Sequence, residues 1–341
     1  MITKSIFGTD KNGNAVTSYR IENGDLTAEI LDRGATIRSL IFQGVDVALG
    51  YEDVAGYEEN DGYLGATIGR YGNRIAAGKF TLNGKEFSVD CNEGGKNHLH
   101  GGNVGYDKLI WNEEKVEDNA LTLSLEDRGA ETGYPGTLKV SVRFSVEEDA
   151  LLIEYSALGD EDTPVNLTNH CYFNLNGAGK GDVLNTRLQI FASHYLPVDE
   201  ELIPTGVLRK SVGTPFDFVT EAKAIGRDID AKDRQLALGG GYDHNFCLDG
   251  EGFRLALQAY SPESGIVMSC LTSEPGVQLY TGNVLSTQVG KGTESGYGKH
   301  FGFCAETQHY PDSPNQPAFP TTTVKAGKRY ESKTAYAFSK E

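Results

Sequence analysis

Five stretches of this 341-residue chain gather side chains able to hold a polyhydroxyl ligand and to move protons. The first is Asn166-Leu-Thr-Asn-His-Cys-Tyr-Phe-Asn-Leu175. In an extended chain Asn166, Thr168, His170, Tyr172 and Asn174 share one face, while Leu167, Cys171, Phe173 and Leu175 share the other, with Asn169 as the exception. Solvent-facing strands usually carry Lys, Glu, Arg and Thr. Short hydrogen-bonding groups without fixed charge suit a cleft from which water is partly excluded, and a wall of amides, hydroxyls and one imidazole suits a sugar. A strand with one face in water alternates too, so the pattern alone leaves both readings open.

The second stretch is Gly69-Arg-Tyr-Gly-Asn73-Arg74-Ile-Ala-Ala-Gly78, where Asn73 and Arg74 could donate to hydroxyl groups or the arginines could cap carbonyls of a turn. The third, Gly94-Gly-Lys-Asn-His98-Leu-His100-Gly-Gly102, raises a metal site, because a His-x-His pair on a strand directs both rings one way. Apart from Glu93 no ligand of familiar spacing lies nearby, which favours an imidazole used for hydrogen bonding or acid–base work over a metal. In the fourth, Gly239-Gly-Gly-Tyr-Asp243-His244, the Asp243 carboxylate could accept from vicinal hydroxyls or form a turn, and 276–283 with Gln278 is similarly polar on one face. The fifth, Phe301-Gly-Phe-Cys-Ala-Glu306-Thr-Gln-His-Tyr-Pro311, is an apolar strand broken by one carboxylate. A Glu there sits at a wet edge or is half buried with a partner, and in the second case it is a candidate base.

The elements that must position these groups read as strands. Leu121, Leu123 and Leu125 alternate with polar residues, as do Leu138, Val140, Val142, Phe144 and Val146, and residues 147–149 read as a turn before 151–158. Asn83-Gly84 between two short apolar runs is a strong hairpin signal. Tyr330, Tyr336, Ala337 and Phe338 are expected to close the chain in a final strand pair, and residues 311–320 to form an ordered loop over one end of the site. Only residues 220–236 offer a short helix. With 42 Gly punctuating many short apolar runs, and no linker or internal repeat, the expectation is one all-β domain over 1–341, built of antiparallel sheets packed face to face.

A net charge of −17 argues against nucleic acid or an anionic membrane as partner, and disfavours a highly charged phosphate ligand, while a neutral small molecule is indifferent to that field. The five cysteines are scattered and odd in number, which speaks for reduced, mostly buried thiols. No apolar leader opens the sequence and no run has the length of a membrane span, so a soluble cytoplasmic protein is expected.

Taken in order, these pieces resemble the aldose 1-epimerase family, the galactose mutarotases. The resemblance is carried by Gly-Arg-x-x-Asn73-Arg74-Ile, Leu-His100-Gly-Gly, Gly-Tyr-Pro-Gly at 133–136, Asn-Leu-Thr-Asn-His170-x-Tyr-Phe-Asn-Leu, Tyr-Leu-Pro-Val-Asp at 195–199, Tyr-Asp243-His, Gln278-x-Tyr-Thr-Gly-Asn and Glu306-Thr-Gln. It implies an all-β fold, a large antiparallel β-sandwich of the galactose mutarotase type with little helix and an open sugar cleft. It also implies interconversion of the α and β anomers of free hexoses such as D-galactose and D-glucose, with no cofactor and no metal. By the same resemblance Glu306 is the general base, His170 the general acid and His100 the second active-site histidine, with Asn73, Arg74, Asp243 and Gln278 binding the sugar. An acidic group near His170 is expected to raise its pKa. A hexose-6-phosphate 1-epimerase and a non-catalytic carbohydrate-binding β-sandwich are the alternatives, and the sequence leaves monomer and homodimer open.

Overall fold

The computed structural model describes residues 1–59 and 62–341. Strands hold 44% of the chain and helices 8%, which makes the fold all-β. The segments with period-two apolar patterning pair as hairpins. Ala120–Asp127, Leu138–Glu147 and Ala150–Gly159 run antiparallel with Glu147 opposite Ala150, so the acidic turn falls where the sequence marks it. They belong to a nine-stranded sheet that continues through Arg329–Lys340, Ile266–Thr272 and Arg254–Tyr260. The Asn83-Gly84 turn joins Lys79–Leu82 to Lys85–Ser88, both turn residues having the positive φ that such two-residue loops require.

The sheet that positions the site has six strands, in the order Tyr172–Phe173, Phe303–Gln308, Gly276–Tyr280, Asp243–Cys247, His194–Tyr195 and Arg209–Lys210, each antiparallel to the next. One of its faces is apolar. Phe173, Phe246, Val277, Leu279, Phe303 and Ala305 join a buried cluster that reaches from Tyr19 to Phe338. Here the six-stranded sheet packs on Arg329–Lys340 of the nine-stranded one: Tyr336 stacks edge-on against Phe173 at 4.8 Å and its hydroxyl donates to the Ala305 carbonyl, while Thr307 and Thr334 meet through their hydroxyls. Two sheets face to face over a shared apolar layer are the expected sandwich.

Several local expectations are corrected. The chain ends in one continuous twelve-residue strand, Arg329–Lys340, because it has a partner on both edges, Ala150–Gly159 and Ile266–Thr272. In the 220–236 window a 3₁₀ turn forms at Ile225–Arg227, and the α-helix, Arg234–Gly239, starts near the end of that window, where the Asp233 side chain caps the Gln235 N–H. A second short helix, Val54–Glu59, had no sequence signal. The decapeptide 166–175 is two strands rather than one: Thr168–Asn169 pairs with Thr67–Ile68, and Tyr172–Phe173 with Phe303 and Cys304. Asn169 makes the break, since its side chain accepts from the Cys171 N–H and donates to the carbonyls of Gly65 and Ala66. Four of the five cysteines are buried and all are free thiols. No helix of the described residues is long and apolar enough to cross a membrane.

Arg70 anchors the loop that leads to Asn73 and Arg74. It is buried, pairs with Asp127 at 2.7 Å, and donates to the carbonyls of Asp127, Pro135 and Gly136 and to the Thr163 hydroxyl. Of the two sequence readings for the arginines, carbonyl capping is thus what Arg70 does. Arg70→Met leaves Asp127 and three carbonyls without their cation, so it is expected to cost about 3–5 kcal/mol of stability, measured by urea unfolding. A loss below about 1 kcal/mol would mean that the loop is held elsewhere.

Candidate active site

The other face of the six-stranded sheet is polar, and its register sets the site. Strand residues two apart share a face, so Cys304, Glu306 and Gln308 line up beside Gln278 and Tyr280, then Asp243, Asn245 and Cys247. Gln278 is opposite both Glu306 and Asn245, and Tyr280 is opposite both Cys304 and Asp243. Above this face lies a cavity of about 450 Å³, within the range for small-molecule sites, whose wall includes Asn73, Arg74, His100, His170, Asp243 and Glu306.

Most of these are held from behind. Gln278 donates to Asp243 at 2.6 Å and itself accepts from Gln308, so Gln278 supports the carboxylate and is not part of the cavity wall. His244, buried next in line, receives the Asp243 N–H at Nδ1 and meets Gln235 through Nε2. Arg74 grips Glu93 through three contacts of 2.6 to 3.1 Å, and the Asn73 side-chain oxygen accepts from the Arg74 N–H, leaving the Asn73 amide NH₂ for a ligand. His98 and His100 part company. His98 lies between the Asp90 carbonyl and the Tyr134 hydroxyl, while His100 has a left-handed backbone (φ 50°) that swings its ring against Tyr63 and His170. The next residue must be glycine: Gly101 has φ 85°, and a Cβ there would come 1.8 Å from the Gly69 carbonyl oxygen.

His170 Nε2 faces Glu306 Oε1 at 3.8 Å, with both side chains buried. The acidic neighbour expected for His170 is therefore present, but the expected rise in its pKa is not. Burial pushes His170 down to about 4, and burial followed by the nearby Asp243 pushes Glu306 well above its ordinary value, against the pull of Arg74. The physical reason is desolvation, since both side chains are buried among too few partners to support a charge. Glu306 Oε2 is buried with no hydrogen bond at all. Asp243 is raised as well, mainly by burial, and Arg74 is shared among Glu93, Asp243 and Glu306. His100 is held neutral by burial and by the surrounding His170, Arg74 and Lys108.

His100, His170 and Glu306 offer ligand atoms within 4.8 Å of one another, a cluster that His-x-His spacing did not suggest. The hydrogen bonds around it favour a donor over a metal ligand. A ligating imidazole normally donates its second N–H to an acceptor. His100 Nδ1 instead faces a donor, the Asn73 N–H at 3.2 Å, so the neutral ring carries its proton on Nε2. Either nitrogen is then compromised as a ligand, and His100 presents an N–H to the cavity.

Of the seven residues singled out from sequence, six line one cavity and Gln278 stands behind Asp243. Asn166 and Asn174 serve the fold: Asn166 donates to the carbonyls of Gly72 and His309, and Asn174 to those of Gly181 and Phe301. Sequence reasoning did not single out Tyr63, the helix residue Leu238 or the loop residues Leu202 and Val284 of the wall, and it weighed Glu93 only as a metal ligand; loop residues carry no periodic signal. The 311–320 loop does not line the cavity. Asp312 donates its N–H to the Arg74 carbonyl and accepts from the Ala76 N–H, so this loop buttresses the arginine loop instead.

Comparison with known proteins agrees with this fold. The sequence profile of the Aldose 1-epimerase family matches residues 17–337. A galactose mutarotase of Bos taurus is 39% identical over 99% of this chain and 98% of its own, and an aldose 1-epimerase of Escherichia coli is 36% identical over 94% of both. Among solved structures, a galactose 1-epimerase from Lactobacillus acidophilus superposes with a TM-score of 0.88 at 26% identity, covering 100% of this chain and 99% of that one. A sandwich with this cleft, this profile and these relatives makes the chain a member of the aldose 1-epimerase family, an enzyme acting on carbohydrates.

Proposed function

We propose that this enzyme, a single domain over residues 1–341, interconverts the α and β anomers of free hexoses such as D-galactose and D-glucose, with Glu306 as base and His170 as acid. The observation that carries the reading is a buried carboxylate oxygen without a partner, on a side chain whose other oxygen is 3.8 Å from an imidazole nitrogen. Glu306 takes the proton of the anomeric hydroxyl, O1 becomes a carbonyl oxygen, the bond from C1 to the ring oxygen breaks, and His170 protonates that oxygen. Rotation about C1–C2 and the reverse transfers close the ring on the other face. The atoms and protons balance without a second reactant.

Burial favours the neutral form of both Glu306 and His170, whereas the reaction needs the carboxylate and the imidazolium. A sugar supplies the difference. A hydroxyl donating into Glu306 stabilises the carboxylate, and a ring oxygen accepting from His170 stabilises the imidazolium, so the proton crosses when substrate is bound. His100, Asn73 and Arg74 offer donors to the remaining hydroxyls, and Asp243, braced by Gln278, accepts from two of them. The charge of the site favours a neutral sugar over its 6-phosphate, because Arg70 is spent on Asp127 and Arg74 on Glu93. A purely sugar-binding protein has no use for a carboxylate kept unpaired beside an imidazole.

Polarimetry of freshly dissolved α-D-galactose and α-D-glucose tests the assignment. Glu306→Gln and His170→Asn are each expected to lose about 10²–10⁴-fold in kcat, the usual worth of a positioned proton transfer, while sugar binding by calorimetry persists. Either variant turning over near the wild-type rate overturns its assigned role. The pH profile of kcat/KM is expected to be bell-shaped, falling in acid as the pair gains a second proton and in base as it loses its last, with both limbs belonging to the pair. Because His170 is pushed down to about 4, the acid limb should lie below the ordinary histidine range. A single rising limb near pH ~6.5 would contradict the shared-proton scheme.

A further inference from the structure

The partner at the far side of the His170 ring is a thiol. Cys304 Sγ lies 3.5 Å from His170 Nδ1, and both side chains are buried. We propose that Cys304 is a positioning residue for His170, its sulfur accepting from Nδ1–H both in the imidazolium and in the neutral ring left when Nε2 has given up its proton, so that Nε2 alone makes the transfer. The proposal rests on the reading of His170 as the acid.

Cys304 is two residues before Glu306 on Phe303–Gln308, so one strand face holds both the base and the support of the acid. Its register partners are Tyr172 and Tyr280, both of which also contact the His170 ring. Burial keeps the thiol far from thiolate, so it offers Nδ1–H a neutral sulfur lone pair and no counter-charge. Five other Nδ1 atoms have one-way partners: a backbone N–H at His100 and His244, a carbonyl at His98 and His300, a carboxylate at His309. A fixed donor in that place would bar Nδ1–H, and a carboxylate would hold the imidazolium too firmly to release its proton. A thiol does neither, and it is a weak acceptor. The remaining groups facing the ring are Glu306, His100 and Tyr63.

Cys304→Ala and Cys304→Ser separate this role from simple packing. In Cys304→Ala the imidazolium loses its acceptor, so the acid limb of the kcat/KM profile is expected to move to lower pH and kcat to fall about 5- to 10-fold, as for one ordinary hydrogen bond lost, with KM little changed. In Cys304→Ser a shorter, stronger acceptor should move the acid limb to higher pH and restore kcat. Nitrogen-15 spectra of the His170 ring should show the altered tautomer balance in both. Limbs and ring spectra matching wild type in both variants, whether or not stability or activity drops, would reduce Cys304 to a packing residue. His170→Asn distinguishes the two levels: if that variant stays active the acid assignment itself fails, and if it is inactive while the Cys304 profiles do not move, only the role of Cys304 falls.

Discussion

The whole site depends on the cost of burying a carboxylate. Glu306 sits in the floor of the cleft with one oxygen unpaired, and a second carboxylate, Asp243, close enough to raise its pKa. An isolated buried charge of this kind is so unfavourable that a group gives up its charge before it accepts the position. Arg74 reduces that cost but is itself tied to Glu93, so the compensation stays partial. What remains is an affinity for a hydroxyl donor, and an acid–base pair poised to redistribute one proton.

That pair could not be held by loops alone. Glu306, Gln278 and Asp243 sit on three adjacent strands whose register is fixed on the opposite face by Phe303, Ala305, Val277, Leu279 and Phe246 in the core. Slipping any of these strands by one residue would exchange the apolar and polar faces, so the hydrophobic layer enforces the alignment of the polar one. His170 comes to the same place by another route. The Asn169 side chain breaks the extended run just before it and sends the chain on into the strand beside Cys304.

Much of this was legible in sequence and the reasons are specific. The hairpins at 83–84 and 147–150 followed from turn chemistry and period-two patterning, which are local. The face at 166–175 was read correctly as polar, yet as a single strand, because nothing in the alternation reveals that Asn169 hydrogen-bonds across to Gly65 and Ala66. The gathering of Glu306 and His170, 136 positions apart in sequence, came only through family resemblance, since spacing has no purchase on contacts of that range. Desolvation was illegible as well: an acidic neighbour was expected to raise the pKa of His170, and only the depth of the cleft shows that burial lowers it and raises that of Glu306.

The close approach of Gly101 to the Gly69 carbonyl has a consequence for how the molecule can be altered. Backbone meets backbone there, and the arginine loop is pinned further by Arg70 and by Asp312, so the histidine side of the cleft has no slack to absorb insertions. The rest of the wall is different, formed by Leu238 in a short helix and by Leu202, Gly240 and the exposed Val284 on connecting loops. A protein engineer seeking to admit a bulkier or differently substituted sugar should therefore diversify that wall and leave the other alone. The proton-transfer pair and its nearest donors rest on strands and pinned backbone, so the remaining wall can drift while the chemistry stays fixed.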